Sequence, residues 1–213
     1  MSDRLEEREE NVRPEPEEEI PQLRTAEAEV EAQETPEPEA RPEPEPEPEH
    51  APGRFEVPAG YEVMTGSADG AGRAVGVVVA KFNGEITSRL LERALEELES
   101  AGVSRESVTI VPVPGAFELP LAAMALAKTR KYACVVALGC VVRGETAHFD
   151  FIAGEAASGL QLAAIETGVP VAFGVLTTET IEQAEARIDR VEDVVRGALE
   201  MANVFQQLRA AAK

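Results

Sequence analysis

The residues best suited to chemistry lie in Gly139-Cys-Val-Val-Arg-Gly-Glu-Thr-Ala-His-Phe-Asp150. His148 is one of two histidines in the chain; the other, His50, stands in a tract of Pro and Glu. An imidazole exchanges protons near neutral pH, which makes it a general acid or base. Gly144, Glu145 and Thr146 precede it in a short polar loop. The apolar run Ala133 to Leu138 before the segment reads as a buried parallel strand ended by Gly139, with a helix expected from about Phe149 or Asp150. Ligands in open α/β folds bind at the carboxyl ends of strands, and helix N-termini attract anions. An anion held near an imidazole is the chemistry this spacing suggests.

Positioning such a loop requires a framework, and the rest of the chain alternates strand and helix. Strands are expected at Ala74–Ala80, Val108–Val113, Ala133–Leu138 and Val171–Leu176 from short β-branched runs. Helices are expected at 86–100, 117–128 and 150–167, and over a long stretch from Thr180 to about Arg209. Thr178 or Thr180 can cap the last of these. Tyr61 to Thr65 reads as a further edge strand. Four βα units in series predict an α/β fold: a parallel four-stranded sheet with helices on both faces.

The four strand ends then supply a candidate site. Phe82 follows the first strand and Phe117 and Glu118 the second; His148 and the 144–146 amides follow the third. Phe173 lies within the fourth, and Arg187 stands two turns into the last helix. Each also has an ordinary structural role open to it: aromatics in a core, Glu118 at a helix start, Arg187 in an ion pair.

Composition narrows the class. The 213 residues carry a net charge of −20, unevenly spread. Residues 1–54 hold 19 of the 40 acids, 6 of the 20 bases and ten of the fifteen prolines, a net of −13. Such a segment buries too little apolar surface to offset its ordering entropy, so a disordered tail is expected at 1–54 and one domain at 55–213. It has no apolar core with a basic flank, so it reads as neither signal peptide nor anchor. Cys134 and Cys140 are about 20 Å apart along a strand, too far for a disulfide, and the two fit a reducing cytoplasm. Two His and two Cys, scattered, predict no metal site. The acidic balance argues against nucleic acid, and no stretch is long and apolar enough to span a membrane.

Five segments in order carry a family resemblance: Lys81-Phe-Asn-Gly84, Val113-Pro-Gly-Ala-Phe-Glu118, Leu138 through Asp150, Phe173-Gly-Val-Leu-Thr-Thr-Glu179 and Glu200-Met-Ala202. Together, over residues 70–205, they resemble 6,7-dimethyl-8-ribityllumazine synthase. The resemblance implies a flavodoxin-like transferase of riboflavin biosynthesis. It would condense 5-amino-6-(ribitylamino)uracil with 3,4-dihydroxy-2-butanone 4-phosphate, releasing phosphate and water without metal or redox cofactor. It implies a homopentamer with sites between subunits, a 60-subunit shell in some members, and an association with riboflavin synthase.

By position, Phe82 would stack on the pyrimidine, and Ala116, Phe117 and Glu118 would take the ribityl chain. Cys140, Val141 and Val142 would hold the ring by main-chain groups. Glu145 and Thr146 would bind phosphate, His148 would move protons, Phe173 would come from the neighbouring subunit, and Arg187 would pair with phosphate. Many members carry a Gly- and Lys-rich insert after the matching Arg. Here Arg187-Ile-Asp-Arg-Val-Glu-Asp-Val-Val-Arg196 is shorter and acidic, which predicts a continuous helix and leaves Arg190 as the other cation. An archaeal-type riboflavin synthase and a non-catalytic shell-forming or flavin-binding homologue are the competing readings.

Overall fold

The computed structural model describes residues 55–212; the acidic tail expected at 1–54 lies outside them. The described chain runs β1 (Val75–Ala80), α1 (Gly84–Ser100), β2 (Val108–Val113), α2 (Leu119–Lys128), β3 (Cys134–Val142), α3 (His148–Thr167), β4 (Val171–Thr178), α4 (Ile181–Glu185) and α5 (Val191–Ala211). All strand pairs are parallel, in the order β2-β1-β3-β4. β1 is buried throughout and β3 almost so, which explains their unbroken β-branched runs.

Alternate residues of the central strands face opposite ways and seed two cores. Val75, Val77, Val79 and Val136 pack with Leu90 and Leu98 of α1 and Val195 and Leu199 of α5. Val78, Ala80, Val135 and Ala137 pack with Ala123 of α2 and Leu160 of α3. Each fully buried Leu contributes ~2 kcal/mol relative to exposure. Helices thus cover both faces, and the strand order reverses between β1 and β3.

Four expectations need correction. β3 runs four residues past Leu138, because Gly139 is a packing position and not a terminator. A Cβ there would lie 3.1 Å from Leu119 Cδ1 and 3.3 Å from Val175 Cγ1. Residues 140–142 are therefore strand, paired with Leu176–Thr178. The segment Ala116–Glu118 is a 3₁₀ turn, and α2 begins behind it with Pro120 in its first turn.

The helix expected from Thr180 to Arg209 is broken. Thr180 caps α4 by accepting from Gln183 N at 3.2 Å, and a 3₁₀ turn at Ile188–Arg190 separates α4 from α5. Ala184, Ile188, Val191 and Val195 stay buried on one side across the break, so the apolar spacing is continuous although the helix is not. Tyr61–Thr65 forms no strand. Polar side chains of α5 and the end of α1 hold the backbone there instead: Gln207 Nε2 donates to Thr65 O (2.9 Å), Asn203 Oδ1 accepts from Ser67 N (3.3 Å), and Gly70 N donates to Ala101 O (2.7 Å).

Candidate active site

The reversal of strand order between β1 and β3 leaves a crevice at their carboxyl ends, the place where α/β folds receive ligands. Four short loops meet there. Lys81 N and Phe82 N donate to Val113 O (2.8 Å) and Pro114 O (3.1 Å), tying the end of β1 to the end of β2. Asn83 adopts a left-handed conformation (φ 55°) at the start of α1. From there its Nδ2 donates to Cys140 O at 2.9 Å, bridging β1 to β3. Glu118 Oε2 accepts from Gly115 N at 2.9 Å while Glu118 N donates to Gly115 O at 3.3 Å, which closes the loop before α2.

Arg143 fixes the loop after β3. Its backbone N–H donates to Thr178 O (2.9 Å), and its guanidinium reaches Glu179 (2.9 Å) and both carboxylate oxygens of Asp150 (3.0 and 3.2 Å). The same group stacks 4.1 Å over the Phe149 ring. The Arg143 hydrogen bonds hold the Asp150 carboxyl below its usual range. One side chain thus ties the end of β3, the end of β4 and the first turn of α3 together.

The resulting open cleft has a volume of about 540 Å³. Nine of the twelve residues singled out from the sequence line it. Phe82 and Ala116, Phe117 and Glu118 form one side, Cys140, Val141 and Val142 the floor, and Thr146 and His148 the other side. Phe82 and Phe117 are 70 % and 56 % exposed, so their rings are free to stack and do not belong to the core. His148 is the first residue of α3, and its N–H points to Thr146 Oγ1 at 3.4 Å. The amide end of a 20-residue helix therefore opens on the cleft.

Cys140 contributes main chain, not thiol chemistry: burial pushes its thiol to about 11, leaving it protonated at neutral pH. Among the described residues no group of three His, Cys, Asp or Glu is placed to hold a metal ion.

Three predicted residues lie elsewhere. Glu145 is exposed in the loop and does not line the cleft. Phe173 pairs with Ala137 in the middle of β4, a sheet edge, and is 41 % exposed. Arg187 stands at the break between α4 and α5 and donates to Gln183 O at 3.0 Å. Its neighbours Ala184 and Ile188 pack in the α1–α5 core, across the sheet from α2 and α3. Sequence reasoning passed over Asn83, Phe149 and Ile152, which also line the cleft. An Asn between an aromatic residue and a helix-starting Gly was the available signal for Asn83, since Asn tolerates the left-handed region.

The family model described as 6,7-dimethyl-8-ribityllumazine synthase matches residues 72–206 of this chain. A protein of Edwardsiella ictaluri named 6,7-dimethyl-8-ribityllumazine synthase is 51 % identical over 142 residues, which cover 64 % of this chain and 91 % of that protein. All the loops that build the cleft fall inside the matched region.

Proposed function

From the premise that the chain belongs to the 6,7-dimethyl-8-ribityllumazine synthase family, and so is a transferase of riboflavin biosynthesis, we propose that the cleft at the carboxyl end of the sheet is where its condensation takes place. The reaction joins 5-amino-6-(ribitylamino)uracil to 3,4-dihydroxy-2-butanone 4-phosphate and releases phosphate and water. The observation that carries the assignment is the meeting of two free aromatic rings, a carboxylate, a helix N-terminus and an imidazole around one open volume.

The roles follow from residue type. Phe82 stacks on the pyrimidine, because a planar ring gains by offset stacking on an exposed aromatic. Ala116, Phe117 and Glu118 take the ribityl chain, Glu118 by the carboxylate oxygen left free by Gly115. Cys140, Val141 and Val142 hold the ring through main-chain groups at the end of β3. The phosphate sits at the start of α3, where Thr146 lines the cleft and the helix dipole favours its charge; Glu145, off the cleft lining, would serve it through its backbone N–H and not its carboxylate. Schiff-base formation, phosphate elimination and ring closure each move a proton, and His148 is placed to exchange them. Holding two substrates in one cleft supplies most of the acceleration.

Phe173 and Arg187 fit this scheme only across subunits. Phe173 lies in the middle of an edge strand, does not line its own cleft at the strand ends, and serves a neighbour's; Arg187 pairs with phosphate in the same way. The assembly is a homopentamer, and a 60-subunit shell is its larger form. Exposed Phe151, Leu162 and Ile165 on α3 supply apolar surface for such contacts. The enzyme works in the cytoplasm, where its two unpaired thiols persist, and riboflavin synthase is the partner that consumes its product.

Purified protein given both substrates tests the reading. Lumazine fluorescence supports it. Riboflavin formed from lumazine would make the chain a riboflavin synthase, and neither product would leave a binding or shell protein.

A further inference from the structure

The opposite end of the sheet carries a second cavity, of about 580 Å³. It lies between the turn before β1, the loop before β3 and the last turns of α5. Among the described residues four cations line it, Arg73, Arg130, Lys131 and Arg209, together with the rings of Tyr132 and Phe205, and no carboxylate does. That is unexpected in a domain with a net charge of −7 over residues 55–213.

The way these cations are held sets them apart. Arg89, Arg93, Arg105, Arg143 and Arg196 each bind carboxylates. Among the described residues the cavity cations bind neutral oxygens only. Arg73 donates to Asp69 O (2.8 Å) and Gln206 Oε1 (2.9 Å), Arg209 to Gly168 O (2.7 Å), and Arg130 to Thr167 O. The Lys131 ammonium has no side-chain partner among the described residues. Thr167 O and Gly168 O close the carbonyl end of α3 and draw on part of the Arg130 and Arg209 charge, while Arg73 and Lys131 meet no such dipole and most guanidinium N–H donors remain for a ligand.

The backbone adds an independent sign. Asn83 and Arg130 are the non-glycine residues with positive φ among the described chain (55° and 59°). Asn83 builds the carboxyl-end cleft. Arg130 holds the equivalent strain, ~1–2 kcal/mol for a side chain other than Asn or Asp, at this second cavity. The Phe205 ring lies 5.9 Å from the Arg209 guanidinium.

We propose that this basin is a second anion-binding site, separate from the catalytic cleft, that takes a ligand carrying two or more phosphate groups. Two cations suffice to neutralise one phosphate dianion; four, drawn from three segments around one cavity, match a polyphosphate. Cavities lined by one sign of charge focus their field and concentrate such counter-ions. Arginines meet phosphate oxygens in paired hydrogen bonds. The assignment does not depend on the catalytic roles given above.

Calorimetric titration of the full-length protein with inorganic pyrophosphate, and separately with orthophosphate, tests it. The expected result is one pyrophosphate per chain, bound at least tenfold more tightly than orthophosphate. Lys131→Gln, whose side chain holds nothing in place, weakens pyrophosphate binding about tenfold and leaves turnover unchanged; Arg73→Gln combined with it abolishes binding. Thr146→Val, at the start of α3, leaves pyrophosphate binding intact. The proposal is overturned if pyrophosphate and orthophosphate bind alike, if Lys131→Gln has no effect, if Thr146→Val removes the binding, or if no binding occurs.

Discussion

The two ends of the sheet are built on different principles. At the carboxyl end, loops are locked to one another by neutral or fully paired contacts: Asn83 to Cys140, Glu118 to Gly115, Arg143 to Asp150 and Glu179. The Arg143, Asp150 and Glu179 charges there are spent on positioning. At the amino end, arginines are held by backbone carbonyls and no ion pair neutralises them among the described residues. The first arrangement suits a site that must place two substrates accurately and move protons between them. The second suits capture of charge. A strained left-handed residue marks each end, Asn83 in one and Arg130 in the other.

Cysteine reactivity gives the largest contrast. Burial raises the Cys140 thiol to about 11, against an ordinary 9.0, and raises the Cys134 thiol to about 12. At pH 8 the thiolate fraction of Cys140 is then about a hundredfold below that of a free thiol. Alkylation followed by mass spectrometry should modify Cys140 slowly, Cys134 more slowly still, and both faster as pH rises toward those values. Prior labelling of Cys134 would show that the amino end opens to solvent, and the contrast would fail.

Packing behind the carboxyl-end cleft comes next. A Cβ on Gly159 of α3 would lie 2.7 Å from Pro120 Cβ, part of a ring that cannot rotate away. Gly159→Ala should therefore destabilise the fold by ~2 kcal/mol, about thirtyfold in the folding equilibrium. It should also disturb the Phe117–Glu118 turn beside Pro120. A melting curve identical to wild type would mean that α2 and α3 adjust freely and do not hold the cleft.

Phe82→Ala should raise KM for the ribitylaminouracil about tenfold with kcat little changed, the pattern of lost ring binding. An equal fall in kcat would place Phe82 in the chemistry. A last pair of variants separates conformation from contact at Asn83. Asn83→Gly keeps the left-handed backbone and loses only the bond to Cys140 O, costing ~1 kcal/mol. Asn83→Ala loses both and should cost ~1–2 kcal/mol more, read in thermal melts. Equal costs would show that the bridge, and not the strain, is what the end of β1 needs.

Much of this was legible in the sequence. The four strands and the two-faced covering followed from β-branched runs and helical spacing, because parallel strands buried on both sides leave no room for polar alternation. Phe82, Phe117 and His148 were found because loops at strand ends are where side chains face a ligand. Gly139 misled, since a glycine that removes a side chain for close packing looks, in one dimension, like one that ends a strand. The break before α5 misled for a related reason: periodicity reports which side chains are buried, and Ala184, Ile188 and Val191 keep that spacing while the axis turns. The Arg143 bridge and the amino-end cavity could not be read at all. They join Thr178 and Glu179 to Arg143, and Arg73 to Arg130 and Arg209, residues distant in sequence whose meeting only the fold decides.

We propose that the chemistry belongs to the carboxyl-end cleft alone. Single-turnover formation of the lumazine, followed by fluorescence with both substrates saturating, tests it in two variants side by side. His148→Ala should slow the reaction about a hundredfold, the low end of what general acid–base catalysis supplies, while Lys131→Gln leaves it at the wild-type rate. An unchanged rate in His148→Ala, or a comparable loss in Lys131→Gln, would contradict the account.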